Sequence, residues 1–328
     1  MPDLACMARL VNSYSRRFTE RNMLSEEQLR TMLSTPGMDL TASTRVILDP
    51  DGLLVGVGIV YHQDPHVTVR GWGLVDPAHQ GLGVGTSLHQ WVLRRGVEVV
   101  AKAPADARVI VSQQTFDGDA AAKAFLHHAG YKETRHYWQM RVDFDAPPEP
   151  PRWPDGIAPD MFEPNRDLLA AALASREAFQ DHYAFVASSI ETELERTRHY
   201  IESDPHFDRT LWFLARSVND GAIAGLCLCS PATAGDETTA YVQNLGVRPA
   251  WRRRGLGRAL LLHAFGEIHR RGTTKVTLHV DAESLTGATR LYESVGMRVD
   301  GLTHEYELEL RPGADLTVKE RRTADASS

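Results

Sequence analysis

One short pattern occurs twice in this chain and constrains its fold more than any other feature. Residues 75–85 read VDPAHQGLGVG and residues 247–257 read VRPAWRRRGLG, so the segments align without a gap, 172 residues apart. A second pair of similar segments follows: HHAGY at 127–131 in the first half and ESVGM at 293–297 in the second. Such internal similarity marks a repeated structural unit. The sequence therefore predicts two copies of one fold, each near the roughly 150 residues typical of a domain.

A proline-rich segment separates the two copies. Residues 145–154 read DAPPEPPRWP, and prolines at this density cannot continue a helix or an interior strand. The segment is therefore predicted to be a semi-rigid, extended linker. We predict an N-terminal domain over residues 1–145, a linker over 146–155, a C-terminal domain over 156–310 and a polar tail over 311–328.

The hydrophobic patterns predict the same order of strands and helices in both halves. In the C-terminal half, strands are expected over 211–217, 222–229, 239–247 and 275–281, with helices over 258–271 and 285–295 and closing strands over 297–310. The N-terminal half repeats this plan from a strand at 43–48 onward. Two helical patterns precede that strand, but no strand pattern does. We therefore expect the N-terminal half to lack its first strand.

Composition limits the classes of partner. Asp and Glu number 43 against 36 Lys and Arg, which gives a formal net charge of −7. A main role on nucleic acid or an anionic membrane is disfavoured, because both need a dense positive surface. No apolar run approaches the length of a spanning helix, and the first residues show no signal pattern, so we expect a cytoplasmic protein. The three cysteines and the histidines show no metal-ligand spacing, so no metal is expected.

The repeated pattern has a physical use. A strand that runs into glycines at the start of a helix brings several backbone N–H groups into one hollow, and the helix N-terminus adds positive potential. Such a hollow binds a pyrophosphate, and arginines strengthen it with permanent charge. A tight strand-to-helix turn is the alternative interpretation, but it is less consistent with two copies in register. The candidate residues in the second copy are Arg252, Arg253, Arg254, Gly255, Leu256, Gly257, Arg258 and Ala259.

Three segments together resemble a known family. These are YVQNLGVRPAWRRRGLG at 241–257, LHVDAES at 278–284 and ATRLYESVG at 288–296. They are similar to the GNAT superfamily of acyl-CoA-dependent N-acyltransferases, strongly over about 211–310 and more weakly over about 46–144. Two copies in one chain resemble the tandem-GNAT layout of the mycothiol synthase group.

The resemblance implies an α/β (α+β) fold. Two tandem GNAT folds are expected, each a mixed, mostly antiparallel sheet with flanking helices. In each sheet, two central parallel strands would separate to admit the pantetheine arm of the cofactor.

The resemblance also implies roles for particular residues. The loop from Arg252 to Arg258 would hold the pyrophosphate of acetyl-CoA, and backbone N–H groups near Leu245, Gly246 and Val247 would polarise the thioester carbonyl. Tyr292 stands where the family places the general acid that protonates the leaving thiolate. A phenol suits this step because it stays protonated at neutral pH. The alternative is a core tyrosine, since Tyr292 shares a predicted helical face with apolar residues.

The general base is left open. Tyr241 stands where many members of the family have a glutamate, and the nearest carboxylates, Asp236 and Glu237, lie just upstream. The proton could pass through water to Glu237. Water could instead relay the proton to Asp181 or His182. Asp181, His182 and Glu177 are also candidates for binding the amine of an acceptor. A solvated helix face is the alternative interpretation for all three.

The N-terminal copy departs from the family at the charged and proton-donating positions. Leu126 stands at the position of Tyr292, and Gln80 stands at that of Arg252. Gly83 and Gly85 are kept. We therefore expect a non-catalytic domain that either binds CoA weakly or serves as a scaffold.

These inferences predict an N-acetyltransferase. It would move the acetyl group of acetyl-CoA to a small-molecule amine by direct attack within a ternary complex in the C-terminal domain. Two alternatives remain at this point: a non-catalytic acyl-CoA-binding module, and a protein N-acetyltransferase.

Overall fold

The computed structural model describes residues 3–19, 21–233, 235–284 and 287–318. Both halves contribute strands and helices in the same order, starting from β1 in the first half and β7 in the second. The N-terminal half contains α1 (Leu4–Thr19), α2 (Glu26–Leu33), α3 (Leu40–Ser43), β1 (Thr44–Leu48), β2 (Leu54–His62), β3 (Thr68–Val75), α4 (Val84–Val100), β4 (Val109–Phe116), α5 (Ala120–His128) and β5 (Lys132–Asp143). The C-terminal half contains β6 (Ile157–Met161), α6 (Pro164–Phe179), α7 (Ile190–Ser203), β7 (Trp212–Ser217), β8 (Ile223–Ser230), β9 (Thr239–Val247), α8 (Leu256–Arg270), β10 (Lys275–Asp281), α9 (Ala288–Ser294) and β11 (Arg298–Arg311).

The eleven strands of the described residues form one sheet, in the order β1-β2-β3-β4-β11-β5-β10-β9-β8-β7-β6. The last strand of each half lies in the other half of this sheet. β11 pairs with β4, β5 pairs with β10, and β5 and β11 pair with each other at the centre, all antiparallel. The two predicted domains therefore exchange their final strands. Sequence patterns within one copy do not predict this exchange.

The two edges of the sheet bear on the prediction that the N-terminal half lacks its first strand. β6 forms one edge and pairs with β7, while β1, the counterpart of β7, forms the other edge. Within the described residues, only helices precede β1. The linker lies outside the regular elements, and its Glu149 forms an ion pair with Arg258 of α8. The domain limits themselves stay a prediction.

The main helices that cover the sheet pack apolar side chains against it. α8 is buried against the C-terminal strands through Leu260, Leu261 and Phe265, none of which is exposed. α1 and α2 cover the N-terminal strands through Met7, Val11 and Leu29. Such burial is the main favourable contribution to folding. No described helix is long and apolar enough to cross a membrane.

Two pairs of parallel strands separate along their length. β3 pairs with β4 only over Thr68–Arg70, and β9 pairs with β10 only over Thr239–Tyr241. Beyond these residues, the strands diverge toward the glycine loops that precede α4 and α8. The fold thus contains two V-shaped clefts, one in each half, as the family resemblance implies.

Candidate active site

The C-terminal cleft begins at an irregularity in β9. Leu228 pairs with Asn244 and Cys229 pairs with Val242, so Gln243 has no partner on β8. An extra residue of this kind bends a strand and increases its twist. The bend lies just after the last β9 residue that pairs with β10, and it turns β9 away from β10.

The separation leaves backbone groups of β9 facing the cleft. The Arg248 N–H donates to the Ala224 carbonyl at 3.0 Å, and hydrogen-bonded and non-hydrogen-bonded pairs alternate along antiparallel strands. The N–H groups of Leu245 and Val247 therefore point away from β8, toward the cleft. Gly246 directs its N–H to β8 instead. The glycine allows α6 to approach β9 closely, because a Cβ at position 246 would lie 2.9 Å from the Ala178 Cβ at the end of α6.

The glycine loop forms the predicted phosphate hollow. Gly255 has φ +80° and precedes α8 without any side-chain cap. The first N–H groups of a helix have no partner within the helix, so those of Leu256, Gly257 and Arg258 can bind an anion. The N–H of Ala259 already donates to the Gly255 carbonyl at 3.0 Å, so Ala259 contributes packing rather than a donor.

The four arginines of the loop differ in what they contact. Arg252 donates to the Val247 carbonyl at 3.0 Å and to the Ala178 carbonyl at 2.9 Å, and it forms an ion pair with Asp181. Its side chain is thus committed to holding α6 against the loop. Arg253 and Arg254 are exposed at the mouth of the hollow. The Arg258 guanidinium pairs with Glu149 of the linker.

Tyr292 lies on α9 in the interior of the C-terminal half. Its residue exposure is 8%, and it belongs to the apolar cluster under α8. Burial raises the pKa of Tyr292, and the nearby Cys227 and Tyr241 raise it further. The phenol is therefore protonated at neutral pH and lies close to the start of the cleft. Tyr292 is both a packed tyrosine and a possible proton donor, so the two interpretations of its sequence pattern are compatible.

Tyr241 has a partner that the sequence did not single out. Its hydroxyl lies 3.1 Å from Nδ1 of His279 on β10, at the point where the two strands separate. Burial raises the pKa of Tyr241 to about 12, and desolvation lowers the pKa of His279. His279 is nevertheless exposed to solvent, and its lowered pKa keeps the imidazole neutral at pH 7. The quoted motif at 278–284 contains His279, but only the strand pairing shows that it faces Tyr241.

Glu237 lies away from this group. It is exposed in the turn before β9, at the end where β9 still pairs with β10. Glu237 precedes Tyr241 by four residues, and β9 begins only at Thr239. Its role as the base therefore stays a prediction, beside the alternative that His279 offers.

The three acceptor candidates, at the end of α6 and just after it, differ in their contacts. Asp181 is paired with Arg252, and Glu177 is paired with Arg248 at 2.7 Å. His182 packs edge-on against Phe179. Burial lowers its pKa, and the carboxylates of Asp181 and Asp281 act in the opposite direction. Of the three candidates, His182 is the one without a salt-bridge partner among the described residues.

The exchanged strand β5 brings an arginine to the same region. Arg135 forms an ion pair with Asp281 at the end of β10 at 3.4 Å, and its guanidinium carbon lies 4.0 Å above the ring of Tyr183. The C-terminal cleft is therefore bordered by a residue of the N-terminal half. No local pattern indicates this contact, because it depends on the strand exchange.

The N-terminal cleft contains a cavity of about 310 Å³. Its lining includes Gln80, Gly85 and Leu126, so the positions that correspond to Arg252, Gly257 and Tyr292 converge in this half too. Gly83 precedes α4 at φ +83°, again without a side-chain cap. The cavity has the size of a ligand site and offers backbone donors, but it has no phenol at the position of Tyr292.

Comparisons with known proteins agree with this geometry. The profile of the acetyltransferase (GNAT) family matches residues 175–297. The chain is 32% identical over 260 residues to a mycothiol acetyltransferase of Thermobispora bispora, a match that spans 78% of this chain and 80% of that protein. A mycothiol acetyltransferase of Thermomonospora curvata is 33% identical over 242 residues, which is 70% of this chain and 75% of the relative.

Solved structures show the same architecture over nearly the whole chain. A GCN5-related N-acetyltransferase from Sphaerobacter thermophilus superposes with a TM-score of 0.80 at 33% identity, covering 95% of this chain and 94% of that one. A tandem GNAT protein from the clavulanic acid biosynthesis pathway has a TM-score of 0.71 at 14% identity, covers 95% and 96%, and supports the fold alone. The chain therefore belongs to the GNAT family and is an N-acetyltransferase that takes its acetyl group from acetyl-CoA.

Proposed function

We propose that acetyl transfer takes place in the C-terminal cleft, directly from acetyl-CoA to the amine of a small molecule. One observation carries this proposal. Tyr292, Tyr241 and His279 lie together where β9 and β10 separate, and the uncapped start of α8 lies farther along the same cleft. In the N-terminal cleft, Leu126 replaces the phenol.

The reaction follows from these positions. The N–H groups of Leu245 and Val247 would stabilise the developing negative charge on the thioester oxygen, as fixed donors do in an oxyanion hole. The amine nitrogen attacks the carbonyl carbon and releases a proton to His279, whose lowered pKa keeps it neutral beforehand. The C–S bond then breaks, and Tyr292 donates its proton to the departing sulfur. Proton transfer through solvent restores both groups.

The acceptor is proposed to be a small-molecule amine. The named relatives are mycothiol acetyltransferases, so an acceptor related to mycothiol is the first to test. The mouth of the cleft contains Arg135, Asp281 and His182, a mixture of charges that suits a polar acceptor better than an apolar one. A protein N-acetyltransferase remains the alternative for the acceptor class. Membership of an acetyltransferase family disfavours the non-catalytic alternative for the whole chain.

We propose that the N-terminal cleft binds acyl-CoA without transferring the acyl group. The support is the cavity of about 310 Å³ beside the uncapped start of α4. The domain limits at 145 and 156 belong to this proposal, because they divide a binding half from a transferring half.

The test is CoA thiol release from acetyl-CoA with a panel of amines, including an acceptor related to mycothiol and short peptides. In Tyr292→Phe, the packing is kept and the proton donor is lost. We expect turnover to fall by roughly 10² to 10⁴, while acetyl-CoA binding measured by calorimetry persists.

Tyr131→Phe is the matched control. Tyr131 is also a buried tyrosine, but it lies in the N-terminal half, where its hydroxyl accepts a hydrogen bond from Gln113. Removal of this hydroxyl should leave turnover unchanged. Full activity of Tyr292→Phe would refute the assignment of the acid. Parallel rather than intersecting initial-velocity lines would refute direct transfer in a ternary complex.

A further inference from the structure

A cluster of two histidines and a glutamate lies at the centre of the sheet, where the exchanged strands meet. Oε1 of Glu133 is 2.6 Å from Nε2 of His136 and 2.8 Å from Nδ1 of His304. One ligating atom of each residue lies within 4.8 Å of the other two. Glu133 and His136 come from the N-terminal half, and His304 comes from the C-terminal half. The acetyl transfer described above uses none of them.

A β-bulge brings the three side chains to one face. His304 pairs directly with His136, and Tyr306 pairs with Glu133, so the pairing skips one residue of β5 between these positions. Side chains alternate between faces in a regular strand, so residues three apart, such as Glu133 and His136, would otherwise point to opposite faces. Bulges re-aim side chains in this way and occur preferentially near functional sites.

Each of the three residues has a second partner behind it. Nε2 of His304 lies 2.8 Å from the Asp117 carboxylate, and Nδ1 of His136 lies 3.7 Å from Glu283. The Tyr306 hydroxyl donates to the other oxygen of Glu133 at 3.0 Å. Histidines that ligate metals commonly hydrogen-bond through their second ring nitrogen, as His304 does, and ligating carboxylates are likewise hydrogen-bonded, as Glu133 is. The 3.7 Å between His136 and Glu283 is an ion-pair distance and is longer than a hydrogen bond.

Charge and access also suit a cation. Three carboxylates surround the two imidazoles, and two cations contact these carboxylates. Lys123 lies 2.9 Å from Asp117 and 3.0 Å from Nε2 of His304, and Arg135 forms an ion pair with Glu283. The His304 side chain is 9% exposed, whereas that of His136 is 38% exposed. The cluster is therefore buried on one side and open to solvent on the other.

We propose that Glu133, His136 and His304 bind a divalent transition-metal ion of the zinc class, which links the exchanged strands. Two imidazoles and one carboxylate form a ligand set that zinc commonly takes, with water in the fourth position. Bonds of about 2.0–2.1 Å place such ligand atoms about 3.3 Å apart. The carboxylate–imidazole contacts of 2.6 Å and 2.8 Å must therefore lengthen by about 0.7 Å and about 0.5 Å, which rotation of the half-exposed Glu133 and His136 provides.

The experiment uses the full chain, stripped with a chelator and dialysed. Co²⁺ titration followed by visible absorption should show one tetrahedral ion per chain, and Zn²⁺ calorimetry should give the same stoichiometry. His136→Gln and Glu133→Gln should abolish this binding. Tyr306→Phe should weaken it by about 10- to 100-fold, as the loss of a supporting partner does.

His128→Gln is the matched control, because His128 is an exposed histidine on neighbouring α5. It should bind the metal as the unaltered chain does. Three results would overturn the proposal: no stoichiometric binding by the unaltered chain, undiminished binding by folded His136→Gln, or a near-ultraviolet band showing that cysteine thiolates hold the cobalt. The first result would mean that the cluster is only a hydrogen-bonded His–Glu–His network.

Discussion

At the residue scale, the active site depends on a pair that joins two strands. Tyr241 occupies the position at which the family resemblance leads one to expect a carboxylate, and its hydroxyl lies 3.1 Å from Nδ1 of His279. A carboxylate base and a histidine base differ in their ordinary pKa by about two units. Desolvation lowers the pKa of His279 and narrows that difference, so the two bases are distinguished by whether the acid limb of the pH–rate profile disappears when His279 is replaced.

We predict that kcat/KM falls as the pH is lowered through the pKa of His279. Desolvation places that pKa below the ordinary value of 6.5, so the base is neutral and active above it and protonated and inactive below it. His279→Gln should abolish this acid limb and reduce turnover by roughly 10² to 10⁴. Initial rates from pH 4.5 to 9 at several acetyl-CoA concentrations measure both effects.

His89→Gln serves as the control for the pH profile. Burial also lowers the pKa of His89, but this residue lines the N-terminal cavity. Its profile should match that of the unaltered chain. An acid limb that persists in His279→Gln would assign the base to another group.

The residues also show where sequence reasoning stops. The pattern around residue 252 suggested that Arg252 and Asp181 serve different ligands, yet their side chains pair with each other. These residues are 71 positions apart, so no local pattern reports the contact. Tyr292 was identifiable because its motif lies on a single helix. His279 became identifiable only when the strand pairing was known.

At the scale of elements, the two glycine loops are a natural matched pair. Gly255 and Gly83 both precede a helix at positive φ, and a Cβ at either position would meet no atom within 4 Å. Gly257 is less suitable for a test, because its Cβ would lie 3.0 Å from Leu291 and would disturb the helix that carries Tyr292.

We predict that Gly255→Val abolishes most turnover, while Gly83→Val leaves turnover at saturating acetyl-CoA largely intact. A β-branched residue at this φ costs roughly 1–3 kcal/mol of backbone strain, which the loop can relieve by leaving its phosphate-binding shape. Calorimetry should show one acetyl-CoA site fewer in each folded variant. Folding is checked by circular dichroism.

The opposite pattern, with turnover lost in folded Gly83→Val and kept in Gly255→Val, would place catalysis in the N-terminal half. Equal losses in both variants would indicate that the two clefts are coupled.

Most elements were predictable because their signals are local. The alternation of apolar and polar residues predicted the observed limits of β10, Lys275–Asp281, and Gly272 marked the end of α8. In the described residues, the helix that carries Tyr292 spans Ala288–Ser294, after Gly287 at positive φ. The predicted start at residue 285 lies outside the described residues. The closing segment of the chain is one long strand, β11. Its pairing with β4 was not predictable, because no local pattern states which neighbour a strand chooses.

At the scale of the whole molecule, neither half is complete. Without residues 1–145, β10 loses its partner β5, and β11 loses both of its neighbours. We predict that a chain truncated to residues 146–328 aggregates or unfolds without a cooperative transition, because unpaired strand edges associate. Size-exclusion chromatography and thermal circular dichroism provide the measurement.

Cleavage of the linker in the folded protein is the control. A protease site placed within 146–155 and cut after folding should leave the two pieces associated and active, because the strands remain paired. A monomeric, active 146–328 fragment would show that the exchange is dispensable.

The exchanged strands also determine when this chain can fold as it is made. β4 pairs with β11, which begins at Arg298, and the pairing joins Phe116 to Thr303. Most of the polypeptide must therefore be synthesised before the sheet of the first half can be completed. Contacts between such distant residues slow folding, and strands left without partners in the meantime are prone to aggregation. During translation, the N-terminal half therefore emerges with an open edge at β4. A nascent chain of this protein needs protection at that edge until its last strand leaves the ribosome.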